Sequence, residues 1–370
     1  MPRARRGRGE GSIYRRRDGR WCTSVSVGYS DTGGRRRRTV YGATKAEVQD
    51  KLRQLTTEVA AGLPVETQKV TVGEFLDRWL RSIKQSVAPG THERYSCTIR
   101  NQIKPHLGGI RLTRLEPVHV EQFYVTLQEQ GGSARSIQLA GVTLGAALDH
   151  AVQVRLVAYN AARGISKPRV AKTEMHVWDA DQVAKFLAAT KQDRLHAMYV
   201  VALACGVRQG ELFALTWADI DLDGAFLTVQ RSLEELGGKL RVKEPKTGRG
   251  RRIDLPRFVV RALQDHRRAM LAEGNISGPV FCAPGGGHLR KGNVYRRSFK
   301  PLVEAAGVPL IRFHDMRHTS ATILLLAGEN VKVVSERLGH ANIKITLDTY
   351  AHVLPTMQRA AAEKLDQLLG

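Results

Sequence analysis

Several things are scarce in this sequence. Its four cysteines, Cys22, Cys97, Cys205 and Cys282, lie far apart in 370 residues and form no CxxC pair. That excludes the usual zinc-ribbon spacing and gives no sign of a disulfide framework. No run of 18 apolar residues occurs, and no apolar signal region follows the basic start, so neither a membrane span nor a secretory leader is expected. There is no GxxxxGK[ST] nucleotide loop and no internal repeat. Acidic residues are also few: 35 Asp plus Glu face 58 Lys plus Arg, a formal charge of +23 and a pI of about 10.3. The expectation is a soluble cytoplasmic protein. Its 42% hydrophobic content suffices for real cores, and its surplus of cations points to a polyanionic partner. Composition alone fits a ribosomal or nucleoid protein equally well.

The length is long for one core and comfortable for two or three domains. Residues 1–66 read as a first unit. Positions 3–38 carry twelve Arg and no Lys, clustered at Arg15, Arg16, Arg17 and at Arg35, Arg36, Arg37, Arg38. Between the clusters, Trp21 to Val27 alternates with the period of a half-buried strand. Asp18-Gly19 and Asp31-Thr32-Gly33-Gly34 signal hairpin turns. Three short antiparallel strands follow from this. Thr44 and Glu47 form a capping box for a helix with Val48, Leu52, Leu55 and Val59 on one face, stopped at Gly62-Leu63-Pro64. A small sheet with an Arg-studded face suits a DNA groove; the bland alternative is a solvated basic tail.

Residues 67–165 read as all-helical. Thr71 and Glu74 cap a helix bearing Phe75, Leu76, Trp79 and Leu80, which Pro89-Gly90 breaks. A second helix is expected from about Thr91 to Lys104, ending before Pro105; a third begins at Pro117 and a fourth runs from Ser133 to about Arg155. Residues 166–176 read as a linker. Residues 177–370 read as α+β and mostly helical, with candidate strands Phe226–Arg231, Lys239–Lys243 and Arg251–Leu255.

The chemistry-bearing residues gather in this last segment. Arg208-Gln209-Gly210-Glu211 opens a helix after a Gly break. Lys246 lies in Glu244-Pro245-Lys246-Thr247-Gly248, between two candidate strands. His314-Asp315-Met316-Arg317-His318 opens an apolar helix, Leu338-Gly339-His340 ends another, and Tyr350 follows. Phosphodiester transesterification without a metal needs this kit. Two guanidinium forks can clamp the extra charge of a phosphorane-like state. A phenol can attack. A Lys can protonate the leaving 5′-oxygen, and imidazoles can move protons. His314 and His318 at i, i+4 could instead suggest zinc. The metalloprotease pattern, however, requires Glu directly after the first His, and here that place is Asp315, with Arg317 inside the pair.

These motifs resemble those of the tyrosine recombinase (phage integrase) family, most strongly over residues 177–353 and more weakly over the whole chain, as in members with an N-terminal arm-binding domain. The resemblance implies a multidomain fold: a small three-stranded β-sheet plus helix, an all-α core-binding domain, and a catalytic domain of tyrosine recombinase type. It implies a site-specific recombinase that integrates and excises a mobile element through a 3′-phosphotyrosyl intermediate. Arg208 and Arg317 would bind the scissile phosphate, Lys246 would act as general acid, and His314 would be the proton acceptor or partner near the nucleophile. His340 would donate to a non-bridging oxygen, and Tyr350 would be the nucleophile. Glu211 would orient the site, and His318 is read as supporting. Lys239, Lys243 and Arg249 rival Lys246 within the same hairpin, and Tyr199 and Tyr295 rival Tyr350 without its Gly-His context. No cofactor or metal is implied. The implied partners are double-stranded DNA at core and arm sites, three further copies of this chain in a homotetramer, a host DNA-bending protein and an excision directionality factor, with the protein at the bacterial nucleoid. A C-terminal helix with Met357, Ala360, Ala361, Leu365 and Leu368 on one stripe would dock on its own domain or on a neighbour. Two rivals share parts of this pattern: a type IB topoisomerase-like relaxing enzyme, and a DNA-binding regulator without activity.

Overall fold

A computed structural model describes residues 12–29, 34–60, 69–171, 175–243, 250–275, 277–350, 362–363 and 365–369. The chain divides into two compact units, Met1–Ala171 and Lys172–Gly370.

In the first unit, β1 (Tyr14–Arg15), β2 (Trp21–Tyr29) and β3 (Arg35–Gly42) form an antiparallel sheet in that order. Gly19 makes the first turn at φ +82, a conformation that L side chains resist. A bulge between Ser26 and Gly28 shifts the register of β2 against β3. Helix α1 (Lys45–Ala60) packs on β2 and β3. Its start is closed by two bonds, Glu47 N–H to Thr44 Oγ1 at 3.2 Å and Ala43 N–H to Glu47 Oε2 at 2.8 Å. Cys22, Val25 and Val48 are buried. The expected three strands and helix are there; Leu55 and Val59 lie outside the side chains described.

A helical body follows: α2 (Val72–Ile83), α3 (Pro89–Thr98), α4 (Lys104–Leu107), α5 (Pro117–Glu129) and α6 (Ala134–Gln153). Thr71 and Glu74 form the expected reciprocal cap of α2. Phe75, Leu76, Trp79, Ile99, Ile103, Phe123, Leu144 and Leu148 fill the core. Two expectations need correction. Pro89 opens α3 as its first residue rather than standing outside it, which suits a ring with no N–H to satisfy. The same helical path does not stop before Pro105. It widens into a π-turn over Ile99–Ile103, in which Lys104 N–H reaches back five residues to Ile99 O, and continues to Leu107. The wider turn relieves the clash that a proline ring makes with the preceding turn of an α-helix. Beyond α6, the first residues of the expected linker lie against that helix: Gln138 Nε2 donates to Pro168 O at 3.1 Å.

The second unit opens on Trp178, buried in its core, with its backbone N–H on Thr319 Oγ1 (3.1 Å) and its indole N–H on Pro309 O (2.8 Å). Burial of one such side chain contributes about 1.5–3 kcal/mol. Then come α7 (Ala180–Ala189), α8 (His196–Cys205) and α9 (Gln209–Leu212). The strands are β4 (Ile220–Asp221), β5 (Phe226–Val229), β6 (Ser232–Leu236), β7 (Lys239–Lys243) and β8 (Arg251–Asp254). The chain closes with α10 (Arg257–Ala272), α11 (Lys291–Val294), α12 (Lys300–Ala306), α13 (Asp315–Leu326), α14 (Val331–Leu338) and α15 (Ile343–Tyr350). Phe186, Tyr199, Phe213, Phe299 and Phe313 pack edge-on or tilted in one aromatic cluster with Trp178.

The strand pairing differs from the expected hairpin. β7 pairs with β6, whereas β8 returns to β5 in a separate sheet ordered β4-β5-β8. Lys239 and Lys243 therefore share a hairpin with β6, not with the residues of β8. Lys246 and Arg249 lie outside the described residues.

Candidate active site

Helix α8 ends at Gly206, which is left-handed at φ +61. A Cβ there would come within 2.7 Å of Leu338 Cδ2, so glycine alone satisfies both backbone and space. The reversal presents two groups to one place. The Gly206 carbonyl accepts from Arg317 Nη1 at 2.6 Å, and Arg208 takes the N-cap position of α9 in an extended conformation.

Glu211 is the buried counter-charge of the site, 3% exposed. Arg251 grips it in a two-pronged pair, Nη1 to Oε1 at 3.1 Å and Nη2 to Oε2 at 2.6 Å. Arg208 adds its own Nη1 to Oε1 at 2.8 Å and its backbone N–H to Oε2 at 2.9 Å. Burial opposes the charge on this carboxyl. The bonds and charge of Arg251, with those of Arg208, outweigh it and hold Glu211 down at about 2. Removing one partner of such a buried ion pair costs roughly 3–5 kcal/mol.

Arg317, on the first turn of α13, is itself buried at 3% exposure. Its Nη2 has no hydrogen-bond partner among the described residues. Burial, and then the charges of Arg208 and Arg251, push this guanidinium down to about 9. Three guanidiniums and one carboxylate leave net positive charge in a partly dry setting, which is what an anion such as phosphate would neutralise.

Tyr350 ends α15 with 1% exposure, among Ala321, Leu325, Val334 and Leu338. Its hydroxyl lies 2.9 Å from His318 Nδ1. Burial raises the phenol to about 12, against the opposing charge of Arg317. Burial, then His314, lowers His318 to about 4, so the imidazole is neutral near pH 7 and able to accept a proton. His314 meets His318 edge to face, with ring centroids 5.2 Å apart. The imidazole at the phenol is thus that of His318. Asp315, which follows His314, is taken by Arg312 through its side chain and backbone N–H. After α14 the chain reverses at Gly339 (φ +67), whose carbonyl accepts from Arg208 Nη2 at 3.0 Å. His340 Nδ1 lies 2.7 Å from Thr346 Oγ1, and burial, then Arg317, lowers it to about 4.

A cleft of about 620 Å³ opens beside these groups, lined by Arg208, Glu211, Ser232, Glu234, Lys243, Lys291 and His314. Lys243 is ion-paired with Glu234 across β6 and β7. Sequence reading brought forward neither Lys291 nor Arg251 nor Thr346. Arg251 in particular stands among Arg249, Arg251 and Arg252 with nothing local to distinguish it. Tyr199 is tied to Ser298 within the aromatic core, and Tyr295 belongs to a π-turn on the surface before α12.

Residues 176–357 match the phage integrase family, and residues 71–128 match the N-terminal SAM-like domain of phage integrases. A tyrosine recombinase XerC-like protein of Caldanaerobacter subterraneus subsp. tengcongensis is 31% identical over 93% of this chain and 95% of its own length. The ICEBs1 integrase of Bacillus subtilis is 25% identical over 97% of this chain and all of its own. Among solved structures, the Tn1549 transposon integrase in complex with circular intermediate DNA superposes with a TM-score of 0.69 at 24% identity, covering 80% of this chain and 100% of that one. A lambda integrase tetramer bound to a Holliday junction superposes at 0.61 with 19% identity, over 91% and 94% of the two chains.

Proposed function

The chain belongs to the phage integrase family; it is a site-specific DNA recombinase of the tyrosine type, and we propose that Tyr350 is its nucleophile. The observation that carries this is the pairing of Tyr350 with His318 at 2.9 Å beside the charge cluster of Arg208, Arg317 and Glu211. In the proposed reaction the Tyr350 oxygen attacks the scissile phosphorus and its proton passes to His318 Nδ1. Arg208 and Arg317 hold the non-bridging oxygens, with His340 donating a further hydrogen bond. A 3′-phosphotyrosyl ester forms as the bond to the 5′-oxygen breaks. Lys246 protonates that oxygen, and His314 steadies His318. The ester conserves the energy of the broken bond, so a 5′-hydroxyl from the partner strand reverses the sequence with no nucleotide consumed.

DNA is the substrate, and the similar lambda integrase is seen on it as a dimer at a core site and as a tetramer at a Holliday junction. In this reading the functional form is a homotetramer on two paired core sites, consistent with the lambda integrase tetramer on a Holliday junction. Residues 67–165 and 177–370 would clamp the core site and residues 1–66 would hold arm sites, the linker being 166–176. The exposed arginines of β1 and its turn support the arm role. A host DNA-bending protein and a directionality factor complete the proposed assembly at the nucleoid. Among the described residues no helix is long and apolar enough to cross a membrane. Leu326, Val333, Ile343, Ile345 and Leu347 are exposed on α13 to α15, as are Leu365 and Leu368 near the C-terminus. Mutual coverage between neighbouring protomers would bury both sets; Met357, Ala360 and Ala361 lie outside the described residues.

The test uses duplex DNA spanning the element junction, nicked near the crossover so that cleavage traps the enzyme. A covalent, protease-sensitive protein–DNA band is expected with wild type in EDTA and without ATP, and none with Tyr350→Phe. A band that survives in Tyr350→Phe removes Tyr350 as nucleophile.

A further inference from the structure

Arg208 faces a problem that the geometry makes explicit. Its guanidinium must meet phosphate, yet it lies 2.8 Å from a full carboxylate three residues away, which would claim it as a partner. Arg251 changes that balance. It comes from β8, on a different element, and its fork covers both oxygens of Glu211. Each carboxylate oxygen is then shared: Oε1 between Arg251 and the Arg208 side chain, Oε2 between Arg251 and the Arg208 backbone N–H. A carboxylate so saturated can orient Arg208 without neutralising it.

The same guanidinium reaches two further parts of the site. Its Nε donates to Arg337 O at 3.0 Å, in the last turn of α14. Its Cδ lies where a Cβ on Gly339 would come within 2.8 Å, so the turn that delivers His340 closes directly upon it. Gly339 O in turn holds Arg208 Nη2. At 13% side-chain exposure, Arg251 is a fixed strut rather than a surface charge.

We propose that Arg251 is a positioning residue for strand cleavage: it occupies Glu211 so that Arg208 keeps its charge for the scissile phosphate, and it braces the Gly339-His340 turn beside it. The inference rests on the phosphate role given to Arg208 above.

The experiment compares cleavage of the nicked substrate carrying either an ordinary phosphodiester or a neutral methylphosphonate at the scissile position. A neutral phosphorus centre develops less charge, so the need for Arg208 falls with it. On the ordinary substrate, Arg251→Gln is expected to slow cleavage about 100-fold, comparable to the loss of one transition-state donor, with DNA binding retained. On the methylphosphonate its deficit should shrink to within about threefold of wild type, in parallel with Arg208→Ala. Adding Glu211→Gln to Arg251→Gln removes the carboxylate charge that would otherwise claim Arg208 and should recover at least about tenfold of the lost rate. Should Arg251→Gln not fold, Arg251→Lys keeps a cation against Glu211 without the fork. It is expected to cleave about tenfold slower on the ordinary substrate only. Wild-type cleavage by a folded Arg251→Gln, or by Arg251→Lys where that variant must stand in, overturns the proposal. So does an equal deficit on both substrates while Arg208→Ala is relieved by the neutral one. If Arg208→Ala itself shows no deficit, the phosphate role of Arg208 fails and the inference falls with it.

Discussion

Two groups of arginines on this chain occupy opposite surroundings. In the N-terminal sheet, Arg15, Arg16, Arg17 and Arg37 are exposed, with slight contacts such as Arg15 Nε on the Gly19 carbonyl and Arg16 at the Tyr41 hydroxyl (3.5 Å) and over its ring. In the second unit Arg317 is buried and Arg251 is 13% exposed at its side chain, each fixed by a backbone carbonyl, with Arg251 also gripping a buried carboxylate. Residue type is the same; the work available to it is not. An exposed guanidinium gains from phosphate mainly by releasing counterions, and the gain fades with salt. A buried, pre-positioned one stabilises charge that appears only in the transition state, at little further cost of reorganisation.

The sharpest test of that contrast is at Arg317. Arg317→Ala is expected to lower strand cleavage by about 10³-fold or more, because a preorganised donor pair is lost at the phosphorane stage. Arg317→Lys should recover little, since a point charge cannot reproduce the fork that also engages the Gly206 carbonyl. The measurement is the rate of covalent band formation at saturating protein. A deficit confined to DNA affinity would place Arg317 with the surface group and break the comparison.

One step smaller is the histidine at the phenol. His318→Ala is expected to slow cleavage about 100-fold, the lower end of general-base contributions, and His314→Ala less, since the 2.9 Å contact with Tyr350 belongs to His318. The opposite order would return the acceptor role to His314.

The candidate site was legible where it depends on short stretches of chain. Arg208 with Glu211, Arg317 with His318, and Gly339 with His340 each sit within one helical turn or one cap, so spacing reveals them. Arg251 was not legible, because its place at Glu211 depends on β8 pairing with β5 and on a carboxylate 40 residues earlier. The same non-local pairing explains the misjudged hairpin: Ser232 to Leu236 carries Glu234 and Glu235, and only pairing with β7, where Glu234 meets Lys243, makes it a strand. Thr346 belongs with Arg251, since nothing but the fold brings it to His340. The helical layout was read well from caps and apolar spacing. Pro89 and Pro105 were not, because whether a proline ends a helix, opens it or is absorbed by a π-turn depends on the packing around it.

Burial also sets a pH signature that the exposed group lacks. His318 and His340 are held at about 4 in the folded protein, by burial first and then by neighbouring positive charge. Their unfolded values lie near 6.5, so between about 4 and 6.5 the unfolded chain binds more protons, and stability rises with pH across that window. Acidification from pH 7 towards 4 should therefore lower Tm progressively, and His340→Gln should flatten the curve. Cleavage should pass through pH 6.5 without the loss expected of an ordinary histidine base. A Tm that is level from pH 7 to 4.5 would contradict the half-buried, neutral state assigned to these rings.

The smallest effect is expected at the sheet, and its form matters more than its size. Replacing Arg15, Arg16 and Arg17 by alanine should leave cleavage of a short core-site duplex unchanged, since none of them belongs to the cluster around Tyr350. On DNA that also carries arm sites, affinity should fall by a similar factor for matched and scrambled arm sequences if these side chains meet phosphates. The slope of log K against log salt should then lose about one unit for each contact removed. Loss that falls on one arm sequence alone would instead mean that a guanidinium reads a base edge, as a β-ribbon in the major groove allows. Either result keeps the surface arginines in binding. A reduced rate on the core duplex at saturating protein would carry them into the reaction itself, and the division between buried and exposed guanidiniums would no longer describe how this chain distributes its charge.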